Sequence, residues 1–138
     1  MMRLVRDAGL VGQVEVDSAG TSGYHKGDPP DSRARAAARR RGVELRGRAR
    51  QFKRADWDRF DYVLAVDRTN FEDLEQTSPS PEALKKLRLL RTFDPSSQKD
   101  AGVPDPYFGG DDGFEEVLDI CEAACRGLLE HVRREHGF

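Results

Sequence analysis

The chain has 138 residues, 37% of them hydrophobic and 35% charged, with a formal net charge of −2. That length suits one domain around a single core, and the near-neutral balance gives no electrostatic ground for binding nucleic acid or a membrane surface. No apolar run is long enough to span a bilayer and no apolar leader opens the chain, so a soluble, cytoplasmic, single-domain protein over residues 1–138 is expected.

The first ten residues, MMRLVRDAGL, read as the tail of a helix: Met1, Leu4 and Val5 share a face and Gly9 supplies a stop, but no cap opens it. Val14 to Asp17 alternates as a short strand and ends in a loop of glycine and hydroxyl residues, Ser18 to Gly23. Pro29, Pro30 and Asp31 announce a helix over Ser32 to Arg41, closed by Gly42. Its five arginines, Arg33, Arg35, Arg39, Arg40 and Arg41, lack any aromatic stacking platform and suit a solvated face whose last turn complements the helix dipole.

Ala55 to Phe60 reads as one helical turn, and Asp61 to Val66 as a nearly all-apolar strand of the kind covered on both faces. Asp67 follows that strand, ahead of a helix capped by Thr69 or Asn70 and running to about Gln76. Thr77 to Pro81 reads as a polar break and Leu87 to Phe93 as a third strand. Asp112 to Glu115 fits a capping box for a final helix, whose apolar residues from Phe114 to Val132 recur at helical spacing through about Glu135. Strand and helix alternate, which predicts an α/β fold: a small parallel sheet with helices on both faces.

Ligands of such folds sit beyond the carboxyl ends of the strands. Ser18, Asp67 and Asp105 all follow predicted strands, directly or by a loop, and so are expected on one edge. Asp105 lies in VPDPYFGG (103–110), where flanking prolines fix the backbone and keep the carboxylate out of regular structure. The histidines His25, His131 and His136 match no metal spacing, so no metal or other cofactor is predicted. Cys121 and Cys125, four apart on the apolar face of the final helix, read as inert core thiols.

Three segments carry a resemblance: VDSAGTSGYHKGDPPD (16–31), GRARQF with DWDRFDYVLAVDRTNFEDL (47–52, 56–74), and VPDPYFGGDDGFEEVLDICEAACRGLLEHV (103–132). Together they resemble the low-molecular-weight protein tyrosine phosphatase family, from about Leu4 to the C-terminus. The resemblance implies a flavodoxin-like fold and hydrolysis of a phosphotyrosine protein or small phosphoester. In that family a cysteine thiolate in a C-x5-R loop attacks phosphorus, and an aspartate protonates the leaving phenolate and then deprotonates water. Asp105 matches that aspartate. The resemblance further assigns Tyr107 and Phe108 as aromatic walls for the substrate ring, with Tyr24 opposite, and Ser18 and Asp67 as braces of the phosphate loop.

The chain departs from that pattern in lacking the C-x5-R loop and the strand before it. Position 127, six after Cys121, is glycine, and position 131, six after Cys125, is histidine. Two unpaired edges are therefore expected to face a gap between Val14–Asp17 and Asp61–Val66. Three readings stay open: an intact phosphatase of which Met1 is an internal residue, a pseudo-phosphatase acting as a binding or regulatory protein, and a remnant without stable function. An arsenate reductase, which shares the fold but normally uses further redox cysteines, is a fourth.

Overall fold

A computed structural model describes residues 1–22, 26–98, 101–104 and 110–138, with the side chains of 110–112 also outside the description. Two short strands, β1 (Val63–Ala65) and β2 (Leu87–Leu89), pair in parallel with Val63 opposite Leu87 and Ala65 opposite Leu89. Helices α1 (Met2–Asp7), α2 (Ser32–Arg40), α3 (Asp56–Arg59), α4 (Arg68–Thr77), α5 (Pro81–Leu84) and α6 (Gly110–His136) surround them. A 3-10 turn, Leu90–Phe93, continues β2.

The pleat divides the strand residues between two layers. Val63, Ala65, Leu87 and Leu89 point into a core completed by Trp57 of α3, Leu74 of α4 and Ala83 of α5. Trp57 is fully buried, sets its ring edge-on to Phe52, and donates from its indole nitrogen to Thr77 Oγ1 at 3.3 Å. On the opposite face Arg88 approaches His131 of α6, so helices cover both faces as the alternation predicts. A second core joins Val5 and Leu10 to Leu129 of α6, with Val14 and Val16 packed against it.

Capping chemistry fixes several boundaries. Asp31 accepts the backbone N–H groups of Arg33 and Ala34 to open α2, and Gly42, at φ 75°, follows its end. Arg41 at that end donates to Glu115, reaches Asp119 at 2.8 Å and Glu122 at 3.7 Å, and so ties α2 to three acids of α6. Its neighbour Arg40 also takes Glu115, at 3.1 Å. These arginines answer acids of this chain.

Five expectations need correction. Val14–Asp17 has no ladder partner among the described residues and is not a strand; its alternation reports half-buried Val14 and Val16 on the second core and an exposed Glu15 ion-paired to Arg59, but cannot supply a neighbour. The third strand stops at Leu89, because the chain must turn across α6 where Gly127 meets the Phe93 backbone. Helix α4 is capped by Asp67 instead of Thr69 or Asn70, its carboxylate accepting the Asn70 N–H at 2.8 Å. The break after α4 covers only residues 78–80, since Ser80 caps α5 with Pro81 in its first turn. Helix α6 starts at Gly110, which puts Asp112 inside the helix, and Glu115 serves Arg40 and Arg41.

Candidate active site at the strand ends

Beyond β1 the backbone of Val66 receives a segment from far along the chain. Its carbonyl accepts the Val103 N–H at 2.7 Å, while the Gly102 carbonyl accepts Arg91 Nη1 at 2.8 Å. Gly102 is chosen by space: a Cβ there would stand 3.0 Å from Asp67 Cβ and 3.2 Å from its Cα. Residues 101–104 are thus pinned to the carboxyl end of β1, and the chain enters residues 105–109 from that point.

Asp67 is half-buried and serves as the α4 cap. Ser18 is exposed, and its N–H donates to Asp17 Oδ1 at 2.8 Å. Asn70 connects the two neighbourhoods: its N–H is held by Asp67, and its side of α4 lines a groove together with Ser18, Asp17 and Arg50. The sequence had marked Asn70 only as a possible cap. Asp105, Tyr107, Phe108 and Tyr24 lie outside the described residues.

Arg50 organises the rim. It places Nη1 2.9 Å and Nη2 3.2 Å from the Asp56 carboxylate and reaches Asp17 at 3.2 Å, while Asp56 also accepts the Lys53 N–H at 2.8 Å. The backbone on either side of Arg50 is equally committed, since Gly20 donates to the Arg50 carbonyl and Phe52 donates to that of Gly20, each at 2.8 Å. Asp56 is buried at 6% exposure, and the Arg50 guanidinium holds its carboxyl below the usual range against the opposing effect of burial. Nothing in the sequence announced this pair beyond the charges of Arg50 and Asp56.

The pair sets an acid limit on folding. A depressed carboxyl pKa contributes stability that is complete above the unfolded value of 3.8 and is lost as pH falls through the lower folded value. Asp56→Asn is expected to cost about 1.5–3 kcal/mol at neutral pH, the range for hydrogen bonds to charged groups. It is also expected to flatten, without abolishing, the fall in urea midpoint on acidification. Part of the slope stays because Asp94, bonded by Ser96, and Glu115, bonded by Arg41, are lowered too. An unchanged acid limb would remove the pair from this role.

Neither thiol is set up as a nucleophile. Both lie within α6, and burial pushes the Cys121 thiol up, with Cys125 adding to the effect. Among the described residues no cluster of three or more histidine, cysteine or acidic side chains is placed to hold a metal ion.

A parallel strand pair between helical layers defines an α/β protein, a class of fold whose ligands sit beyond the carboxyl ends of the strands. Residues 1–137 match the family of low molecular weight phosphotyrosine protein phosphatases. A low molecular weight protein-tyrosine-phosphatase of Streptomyces coelicolor is 46% identical over 132 residues, covering 95% of this chain and 80% of its own length. The human low molecular weight phosphotyrosine protein phosphatase is 40% identical over 129 residues, covering 93% and 80%. The crystal structure of a protein tyrosine phosphatase from Entamoeba histolytica with Hepes in its active site superposes with a TM-score of 0.88 at 33% identity, over 98% of this chain and 84% of that one. The chain belongs to the low molecular weight phosphotyrosine protein phosphatase family.

Proposed function

We propose that Asp105 is the general acid and base of a phosphate monoester hydrolysis whose preferred substrate is phosphotyrosine. The observation that carries this is the Val103 N–H bond to the Val66 carbonyl, which ties the segment leading to Asp105 to the ligand-binding end of β1. A carboxylic acid there gives its proton to the phenolate oxygen as the P–O bond breaks and the phosphoryl group passes to a cysteine thiolate, the nucleophile that the family resemblance implies. The resulting carboxylate takes a proton from the water that then attacks phosphorus, breaking the S–P bond and releasing the thiolate and inorganic phosphate. Tyr107, Phe108 and Tyr24 form the walls for the phenyl ring, and Asp67 and Ser18 brace the loop that holds the phosphoryl oxygens.

The nucleophile is a separate question. The chain's two cysteines lack an arginine six residues later and sit in a helix, so residues 1–138 alone are catalytically silent. A coupled nucleophile contributes on the order of 10⁶ in rate in protease triads, more than a positioned acid supplies. The purified 138-residue chain is therefore expected to give no phosphate-inhibited turnover of phosphotyrosine or p-nitrophenyl phosphate. Turnover that scales with the chain and is blocked by phosphate would overturn this. Arsenate reduction is disfavoured by Cys121, whose thiol is pushed up by burial within α6.

The same reading takes residues 1–138 as one cytoplasmic domain that binds neither nucleic acid nor membrane. The arginines Arg40 and Arg41 are engaged by Glu115, and no described helix is long and apolar enough to cross a bilayer.

A further inference from the structure

The net charge of −2 conceals an uneven distribution. Residues 32–54 hold ten arginines and lysines against one acid, Glu44, so the rest of the chain carries thirteen basic and twenty-four acidic residues. Most of the ten are answered within the chain: Arg33 by Asp31, Arg40 and Arg41 by Glu115, Arg46 by Glu44, and Arg50 by Asp17 and Asp56. Arg48, Lys53 and Arg54 are exposed, and none of them has an acid paired to it among the described residues. Arg48 donates to the Gly27 carbonyl at 3.0 Å, a bond that leaves its charge uncompensated.

The backbone that carries these three cations is stitched down. The Gly27 N–H donates to the Ala49 carbonyl and the Ala49 N–H to that of Asp28, each at 2.7 Å, and Gly20 bridges to Gln51. Phe52 turns inward against Trp57, and Asp56 accepts the Lys53 N–H. Arg48, Lys53 and Arg54 therefore stand along a fixed strip beside the loop that follows Ser18, at the rim of the candidate site. Asp17 and Asp56 are already taken by Arg50, and Glu15 by Arg59, so these acids do not neutralise the strip.

We propose that this strip binds an acidic stretch of a polypeptide, namely the residues that flank the phosphotyrosine of a protein substrate. That the partner is a substrate rests on the reading of this edge as a phosphotyrosine site. Its charge follows from the strip itself: unpaired cations on a fixed backbone favour carboxylates held opposite them, and complementary charge speeds encounter and sets specificity. Its length follows from the backbone. Six residue steps from Arg48 to Arg54 span at most about 20 Å at about 3.3 Å per residue, which matches about seven residues of an extended peptide. A nucleic acid fits less well. The one aromatic residue of 32–54 is Phe52, which is packed on the core and offers no stacking face, and a longer polyanion would run onto the acidic remainder of the chain.

The test uses the 138-residue chain and a fluorescein-labelled peptide of seven glutamates, with the seven-glutamine peptide as its neutral counterpart, and reads binding by anisotropy. At about 20 mM salt the acidic peptide is expected to bind at least tenfold more tightly than the neutral one, and to lose at least tenfold in affinity by about 200 mM salt, since salt screens exposed charges. Lys53→Glu with Arg54→Glu is expected to weaken binding at least tenfold. Arg126→Glu with Arg134→Glu alters the net charge equally at exposed positions of α6, and is expected to change it less than about twofold. Should the first pair shift the urea midpoint, Lys53→Gln with Arg54→Gln replaces it, with a loss of at least threefold expected. Equal weakening by the strip and α6 pairs would trace binding to net charge and overturn the proposal, as would equal binding of the two peptides or binding of neither. A single-stranded oligothymidylate of the same charge is expected to bind more weakly than the acidic peptide; equal or tighter binding would make the strip a nucleic-acid contact and overturn the proposal. None of these measurements involves Asp105, so the strip and the catalytic role of that residue can fail separately.

Discussion

Gly127→Ala is expected to prevent stable folding. An added Cβ would lie 1.7 Å from the carbonyl oxygen of Phe93 and 2.7 Å from its carbonyl carbon. Both obstacles are backbone, so no rotamer change relieves them. Helix α6 would have to move off the 3-10 turn, and its removal would open the packing of Leu128, Leu129 and Val132. Overpacking against side chains costs about 1–3 kcal/mol, and a rigid clash exceeds that range. Against a total stability of about 5–15 kcal/mol, such a change leaves most of the chain unfolded or greatly lowers the urea midpoint. Trp57 fluorescence reports the outcome, because the ring is fully buried in the wild-type core. A midpoint within error of wild type would mean that α6 does not approach Phe93 this closely.

The second large effect concerns catalysis. In a form of the protein that carries a C-x5-R loop, Asp105→Ala is expected to lower kcat for a phenolic phosphate by about 10²–10⁴. The loss should be smaller for substrates whose leaving group is already acidic, because such a group departs without a proton. KM should move little, since the carboxyl acts on the leaving oxygen and not on the bound phosphoryl group. The comparison of a poor with a good leaving group separates an acid from a residue that merely shapes the loop. An equal loss for both substrates would assign Asp105 a structural part, and full activity would remove it from the reaction.

How much was legible in the sequence depended on whether the signal was local. The 27 residues of α6 were readable because apolar residues recur over many turns, and β1 because an all-apolar run implies cover on both faces. Asp31 and Ser80 act as caps through bonds to residues two and three positions on. Only the first was foreseen, since proline near Ser80 read equally well as a break. Val14–Asp17 failed for another reason: alternation describes one face, whereas a strand needs a partner that a periodicity cannot name. The site divides in the same way. Asp67 could be placed by its position after β1, whereas Ser18 follows a segment that forms no ladder among the described residues and Asp105 lies outside them. Arg50 bonding Asp56, and Gly102 lying against Asp67, depend on where separate segments meet.

That last contact has a mechanical meaning. The same aspartate that starts α4 is the surface on which Gly102 rests, three residues before Asp105, and the peptide beyond Gly102 is hooked to Val66. The start of α4 and the segment leading to Asp105 thus share one anchorage, so neither can be displaced without carrying the other. Catalytic alignment tolerates only about 1 Å of error. A side chain grown at position 102 would act as a shim at that anchorage, and altered packing along α4 would be passed on to the segment that leads to Asp105.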